Sequence, residues 1–411
     1  AALGSRSVRL ALGIPDADAA ALLEHADLLV TSPSVSAHFP TTDPWLREAL
    51  LAAEARGAEV VSEVALFLRL TRSRVLGVTG TKGKTTTSSL LAAMLHAGGV
   101  PVVLGGNIGT PLIERVTELG PGDWAVLELS ELQLPTIDRG VDVALYTNIG
   151  EDHLDRHGSV EAYRAVKARL AELSAGRGRI VLNADDSGCR ELGARIAGDV
   201  RWYGFDGRSV DASVADGWVA VGENRILPVA DVPLPGRHML ANVLGASLAA
   251  TLVGVEGSAI ATAVRGFSGV PHRLEAIRER HGVRWINDSQ ATIPVAAIAA
   301  LDAFDVPIVL IAGGKDKGLE YAGFADAIAR RAREVVLIGE TADALERLIA
   351  RRVPVSRAGD MDEAVALAAA AARAGDVVLL APAAASFDMF TDYAARGDAF
   401  RAAVERLGGD E

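Results

Sequence analysis

The stretch that most constrains this chain runs from Val75 to Leu91, VLGVTGTKGKTTTSSLL. A short apolar run, Val75 to Val78, ends at Thr79-Gly80. Thr81, Lys82, Gly83, Lys84, Thr85 and Thr86 follow, and then an apolar-periodic segment. That order predicts a strand, a glycine-rich turn and a helix. Glycines let backbone N–H groups approach phosphate oxygens closely, and the helix adds the partial positive charge of its N-terminus. Lys84 is then placed to reach terminal phosphates as a point charge, and the Thr85 hydroxyl to ligate Mg2+. The reading is a nucleoside triphosphate site. Its spacing is shorter than the general G-x-x-x-x-G-K-[ST] pattern, because only Thr81 and Lys82 separate Gly80 from Gly83-Lys84. The bland alternative is an ordinary strand-to-helix turn that carries a lysine.

A length of 411 residues, half of them apolar, supports two to three domains with sizeable cores. The formal net charge is −12, and no basic run interrupts it, which argues against a nucleic-acid partner. An acidic chain that binds an acidic substrate must concentrate its positive charge locally. The single cysteine, Cys189, cannot form an internal disulfide, which fits a reducing cytoplasm. No apolar run reaches membrane-spanning length and the first residues do not read as a signal peptide, so a cytoplasmic location with no membrane partner is expected. A monomer is expected as well.

Apolar strands alternate with amphipathic helices along the whole chain, the pattern of α/β layers around parallel sheets. Strands are predicted at Asp27–Thr31, Glu59–Ser62, Val75–Val78, Trp124–Leu129, Val143–Asn148 and Ile180–Asn183. Helices are predicted at Trp45–Arg56 and, after a loop, within Leu234–Val253. The pattern restarts near Gly269-Val270-Pro271, with strands at Trp285–Asp288, Pro307–Ala312, Val335–Ile338 and Val377–Leu380. Three α/β segments result: 1–70, 71–268 and 269–411. The first is short for its class, with no clear strand and glycine fingerprint at its start, and reads as incomplete.

Several strand ends carry polar residues, which matters because ligands of open α/β sheets gather at carboxyl ends of strands. Glu128 ends VLELSELQL and could hold Mg2+; alone it would be a solvent-facing glutamate. Asp152 and His153 lie in NIGEDHLDRH, within reach of a second metal or a phosphate. Lys167 follows on an amphipathic helix with Tyr163 and, taken alone, reads as a surface lysine. Asn107 sits in the glycine turn GGNIGTP, suited to phosphate. Pro235-Gly236-Arg237-His238 and Asn242 could face a nucleotide base. The last segment holds His272-Arg273, Asp288-Ser289 with Thr292, and the Gly313–Gly318 turn, whose two lysines after a strand suit an anionic ligand; Ser386 again follows a strand.

Taken together, TGTKGKTTT, GNIGTP, LELS, DHLDRHGS, YRAVKARL, LNADD, LPGRH, PHRLE, NDS, IAGG, ASFD and RGDAF resemble, in order, the motifs of the Mur ligases of peptidoglycan synthesis. The resemblance covers nearly everything beyond the first segment. It implies a three-domain α/β architecture: a partly missing N-terminal Rossmann-like domain, a central P-loop ATPase domain and a C-terminal Rossmann-like domain. It also implies an ATP-dependent amide-bond-forming ligase that activates a carboxylate as an acyl phosphate. The ATP site would comprise Gly80, Thr81, Lys82, Gly83, Lys84, Thr85 and Thr86 with Asn242, Arg273 and Asp288. Thr85 and Glu128 would hold one Mg2+, and His153 with a carbamylated Lys167 a second; Lys84, His153 and Lys167 would be the catalytic set. Ser32, Asn107, Ser130 and His153 would face the substrate UDP-N-acetylmuramoyl-L-alanine. Thr292, Lys317, Ser386 and Phe387 would surround glutamate, the D form favoured over the L form.

The chain departs from the family pattern at Gln290, a position usually lysine, at Met239, usually asparagine, and at Glu131, usually serine. Its first segment lacks the glycine-rich strand that would help hold uracil, so ATP is expected to bind better than the UDP-sugar. A P-loop ATPase acting as a binding module, and a related ligase with another acceptor such as folylpolyglutamate synthase, are the competing readings.

Overall fold

The computed structural model describes residues 15–32, 35–37, 42–108, 111–150, 159–205, 210–233 and 236–407. It divides into two compact units, Ala1–Phe267 and Ser268–Glu411.

The first unit begins with α1 (Asp16–Leu23), β1 (Leu28–Thr31), α2 (Pro44–Ala55), β2 (Glu59–Ser62) and α3 (Glu63–Leu70). β1 and β2 form a parallel pair, Leu29 opposite Val60, over a small core of Leu29, Ala37, Leu50 and Ala53. Ser62 caps α3: its hydroxyl accepts the Ala65 N–H at 3.1 Å and satisfies a donor the helix start would leave orphaned. The buried face of α3, with Val64, Phe67 and Leu68, belongs to the core of the sheet that follows.

That sheet comes from β3 (Arg74–Thr79), α4 (Lys84–Ala97), β4 (Val102–Gly106), β5 (Trp124–Glu128), β6 (Val143–Tyr146), α5 (Val160–Ser174), β7 (Arg179–Asn183), α6 (Ser187–Arg195), β8 (Asp199–Tyr203), β9 (Ala212–Ala215), β10 (Trp218–Val221), β11 (Asn224–Pro228), α7 (Arg237–Leu252) and α8 (Gly257–Arg265). Its strand order is β11-β10-β9-β8-β7-β6-β3-β5-β4. The strands from β4 to β8 run parallel, whereas β9, β10 and β11 form an antiparallel extension. The central strands β3, β5 and β6 are covered on both faces, so they read as continuous apolar runs. β4, β8 and the antiparallel extension carry glycines, charges or half-exposed positions, and nothing in the sequence reading marked them.

A buried hydroxyl sets the geometry of α5. Tyr146 donates to the Lys167 carbonyl at 2.7 Å and accepts the Ala171 N–H at 2.9 Å. These are the two groups that an unbroken helix would pair with each other. The end of β6 is thereby fastened to the turn of α5 that carries Lys167.

The second unit holds β12 (Glu275–Arg280), β13 (Val283–Asn287), α9 (Pro294–Asp302), β14 (Ile308–Gly313), α10 (Ala322–Arg331), β15 (Ala332–Ile338), α11 (Ala342–Ile349), β16 (Val355–Arg357), α12 (Met361–Ala371), β17 (Val377–Leu380) and α13 (Tyr393–Arg406). Its sheet order is β12-β13-β17-β14-β15-β16, parallel except for the antiparallel edge strand β12. One face packs Leu310, Phe324, Ile328 and Leu345; the other packs Trp285, Ile311, Val365 and Phe400. Among the described residues no helix is long and apolar enough to cross a membrane.

Tyr146→Phe should lower stability by about 1–2 kcal/mol, because it removes a buried hydroxyl that serves two backbone groups. Urea unfolding measures this, and a variant as stable as the parent would show that α5 closes its own ladder without cost.

Candidate active site

The loop between β3 and α4 is built so that only glycine fits at two points. Gly80 has φ +152°, and a Cβ there would lie 1.9 Å from Thr147 Oγ1. Gly83 has φ +82°, and a Cβ there would meet Asn242 Oδ1 of α7 at 2.7 Å. The loop is therefore pressed between the residues that follow β6 and the first turns of α7. Thr147 Oγ1 donates to the Lys82 carbonyl at 2.6 Å. The Asn148 side chain accepts from the Lys82 N–H at 3.0 Å and donates to its carbonyl at 2.9 Å. Thr81 Oγ1 shares a 3.0 Å hydrogen bond with the Tyr163 hydroxyl and accepts the Gly150 N–H at 3.0 Å. The backbone cradle is thus organised by the protein itself, with α4 starting at Lys84 behind it.

Two ammonium groups converge on one carbonyl of this loop. Lys84 Nζ donates to the Gly80 and Thr81 carbonyls, each at 3.0 Å. Lys167 Nζ donates to the same Gly80 carbonyl at 3.0 Å and lies 5.4 Å from the centroid of the Tyr163 ring. Lys167 is wholly buried, so the surface lysine that its helix suggests in isolation is not what the fold makes of it. Thr85 is also buried, on the first turn of α4.

Glu128 ends β5 and pairs in register with Val78 of β3 on one side and Gly106 of β4 on the other. It is 1% exposed, not solvent-facing. Asn107 fixes it, donating Nδ2 to Glu128 Oε1 at 2.9 Å and its backbone N–H to the Glu128 carbonyl at 2.8 Å. Oε2 of the same carboxylate is buried with no hydrogen-bond partner. A buried, half-satisfied carboxylate beside a phosphate-binding turn fits a divalent cation, which would occupy the free oxygen. Among the described residues no three His, Cys, Asp or Glu side chains cluster; Asp152 and His153 lie outside them. Ser130 is buried and donates both its N–H and its hydroxyl to Gln133 Oε1, at 3.0 and 3.2 Å. Ser32 is exposed, directly after β1.

In the second unit, Arg273, Asp288 and Gln290 line one cavity of about 250 Å³, walled by Ala291, Ala296 and Ala300. Asp288 accepts the Leu274 N–H at 2.9 Å. Burial pushes its carboxyl up to about 6, against the opposing pull of that N–H and of Arg273. Lys317 and Phe387 meet at the surface, the ammonium 5.8 Å from the ring centroid. They meet because the loop after β14 locks onto the loop after β17. Lys315 N–H donates to the Ala385 carbonyl at 2.8 Å, and a Cβ at Gly314 would come within 2.2 Å of that oxygen. Lys315 itself is tied to Glu340 at 2.7 Å, whereas Lys317 is exposed beside Phe387. Ser386 is buried, its carbonyl accepting the N–H groups of Met389 and Phe390. Thr292, after β13, is half-buried, and no described contact joins it to Lys317 or Phe387.

One residue that holds this arrangement escaped the sequence reading. Arg396 of α13 is fully buried and, among the described residues, bonds to no carboxylate. Its guanidinium donates to Ser289 Oγ at 2.9 Å, to the Ser289 carbonyl at 2.8 Å, and to the carbonyls of Ala384 and Ala385 at 3.0 and 3.2 Å. Burial draws its pKa down to about 10. It pins the loop that carries Asp288 and Gln290 to the loop that leads into Ser386. The signal was present: Arg396 stands in the apolar stripe of its helix, one turn before Phe400 and two before Ala403 and Val404.

The raised Asp288 pKa has a measurable consequence. A carboxyl whose folded value, about 6, lies above its ordinary 3.8 favours the folded state fully at low pH and loses that contribution as pH rises through 6. Asp288→Asn should therefore stabilise the fold by roughly 2–3 kcal/mol at pH 8, with the difference vanishing below about pH 4. Urea unfolding across that range checks it; a variant less stable than the parent at pH 8 would contradict it.

Sequence profiles of two families match the chain: the Mur ligase middle domain over residues 78–250 and the Mur ligase glutamate ligase domain over residues 272–384. The UDP-N-acetylmuramoylalanine–D-glutamate ligase of Solibacter usitatus is 42% identical over 400 residues, spanning 96% of this chain and 88% of that protein. The enzyme of the same name from Symbiobacterium thermophilum is 40% identical over 422 residues, spanning 98% and 90%. Among solved structures, the UDP-N-acetylmuramate-alanine ligase of Thermotoga maritima superposes with a TM-score of 0.53 at 18% identity, covering 92% of this chain and 85% of that one. E. coli FolC in complex with ADP gives 0.55 at 20% identity, covering 84% and 94%. At these identities the two structures speak for the shared fold.

Proposed function

The chain belongs to the Mur ligase family, and on that premise we propose that it joins D-glutamate to UDP-N-acetylmuramoyl-L-alanine with hydrolysis of ATP. The observation that carries the reading is the 42% identity to a D-glutamate ligase across 96% of the chain. It is supported by the phosphate cradle of the first unit and the Lys317–Phe387 contact of the second.

A free carboxylate is a poor electrophile, so it has to be given a leaving group. An oxygen of the alanyl carboxylate attacks the γ-phosphorus of ATP, the bond to the β-phosphate oxygen breaks, and ADP departs. The glutamate amine then attacks the acyl carbon. The C–O bond to phosphate breaks, inorganic phosphate leaves and the amine gives up a proton. The cradle residues Gly80–Thr86 orient the triphosphate, and Lys84 exchanges its two carbonyl partners for phosphate oxygens as charge develops. Asn242, against Gly83, abuts the loop from α7, and Arg273 and Asp288 are proposed as further nucleotide contacts. Thr85 and Glu128 would hold Mg2+, which neutralises charge crowded between two anions; His153 and a modified Lys167 would serve a second ion.

Lys167 is proposed to be carbamylated. It is buried, and its amine shares the Gly80 carbonyl with the Lys84 ammonium. The neutral amine is the form of a lysine that adds carbon dioxide. The product is an anion where a second cation would otherwise crowd Lys84. Lys167→Ala should lose turnover by about 10²-fold or more, and a short carboxylic acid added in solution should restore part of it. A variant that keeps near-normal turnover would remove Lys167 from the mechanism.

At the acceptor end, Lys317 would pair with one glutamate carboxylate, Ser386 and the backbone at Phe387 would take the distal one, and Thr292 would fix orientation. Aspartate is one methylene shorter and would leave the buried Ser386 unpaired, the stronger source of discrimination. Phosphate release should require UDP-N-acetylmuramoyl-L-alanine and D-glutamate together. A preference for L-glutamate would overturn the acceptor assignment alone, and release without either substrate would overturn the ligase reading.

A further inference from the structure

The strands that deliver the phosphate loop also shape a second site at their opposite ends. Two cavities, of about 520 and 400 Å³, adjoin beneath the amino ends of β3, β5, β6 and β7 and share Arg74, Asp142 and Arg177. The larger extends to Arg179 and the end of α7; the smaller extends to Arg72 and Arg139. Five guanidinium groups thus line one continuous hollow in a chain of net charge −12. They come from three separate stretches of sequence, at 72–74, 139 and 177–179, so no basic run announces them.

What matters is which of these charges the protein already uses. Arg139 donates to the Leu68 and Arg69 carbonyls at the end of α3. Arg179 donates to the Leu252 carbonyl and lies 3.5 Å from Asp199, which also pairs with Arg201. Asp142 accepts the Val75 N–H at 2.8 Å. Among the described residues Arg72, Arg74 and Arg177 have no carboxylate partner; Arg74 stacks on the buried Trp124 ring at 4.4 Å, which holds its guanidinium in place. Two of these three, Arg74 and Arg177, stand where the cavities join. Guanidinium forks without a carboxylate partner suit the oxygens of phosphate, which they can bind bidentately.

We propose that this hollow binds a diphosphate diester of the nucleotide-sugar type. The diphosphate sits at the junction on Arg74 and Arg177, and one organic group extends into each cavity. The site is separate from the ATP loop. β3 spans both, and its residues from Arg74 to Thr79 put about 17 Å between them. A ligand on Arg74 therefore sits on the strand that leads into Gly80.

Calorimetry on the full chain tests this, with the ATP site filled by a saturating non-hydrolysable ATP analogue and Mg2+. The probes are ADP-glucose and inorganic pyrophosphate, and the variants are Arg177→Gln and Arg74→Gln/Arg177→Gln, whose arginines are exposed. Thermal unfolding verifies that both variants fold. ADP-glucose should bind one further equivalent, more tightly than pyrophosphate and more weakly as salt is raised. Its affinity should fall roughly 10- to 100-fold in the variants. Absence of a further equivalent, or an affinity unchanged in both folded variants, would overturn the site. Equal affinity for both probes would overturn the diester assignment.

Discussion

The structure of the first unit turns on the exit of one strand. β3 leaves the sheet through Gly80, at a φ of +152° that leaves 1.9 Å between a hypothetical Cβ and Thr147 Oγ1. Because the backbone can come that close, the Gly80 carbonyl is presented to two lysines from different helices, Lys84 of α4 and Lys167 of α5. Everything around the loop maintains this exit: Thr147 and Asn148 grip Lys82, Tyr163 grips Thr81, and Asn242 closes on Gly83. A larger residue at Gly80 would have to displace the end of β6, and with it the hydroxyl of Tyr146 that holds the Lys167 turn.

The second unit meets a different constraint. Its three strand-end loops, after the adjacent strands β13, β17 and β14, must be held together beyond the edge of the sheet. A buried arginine does this. Arg396 saturates three carbonyls and one hydroxyl across two of the loops, and the Gly314–Ala385 approach brings in the third. A guanidinium is suited to the task because its donors spread in a fixed plane and it needs no carboxylate to be tolerated, provided every N–H finds an oxygen. Asp288, buried nearby, has its carboxyl raised to about 6 by that burial, against the pull of the Leu274 N–H and of Arg273.

Legibility in the sequence followed burial. β3, β5, β6, β14 and β17 are closed on both faces, so their apolar runs announced them, and the TGTKGKT turn announced the phosphate loop. Asp199–Tyr203 and Glu275–Arg280, with charged ends and mostly half-exposed positions, look like loops until a sheet claims them. Glu128 and Lys167 have the composition of surface residues. Only the register of β5 beside β3, and the way α5 packs against β6, turn them inward. The basal arginines were invisible for the same reason in reverse, since the fold gathers charges that the sequence disperses.

The central claim is that this chain activates a carboxylate by phosphorylating it. It can be tested by following oxygen rather than rate. UDP-N-acetylmuramoyl-L-alanine labelled with 18O in its alanyl carboxylate, turned over with ATP and D-glutamate, should yield inorganic phosphate that carries one labelled oxygen per turnover, as mass spectrometry of the phosphate would record. Unlabelled phosphate released in step with amide formation would contradict the acyl phosphate and with it the account given for the cradle and Lys84.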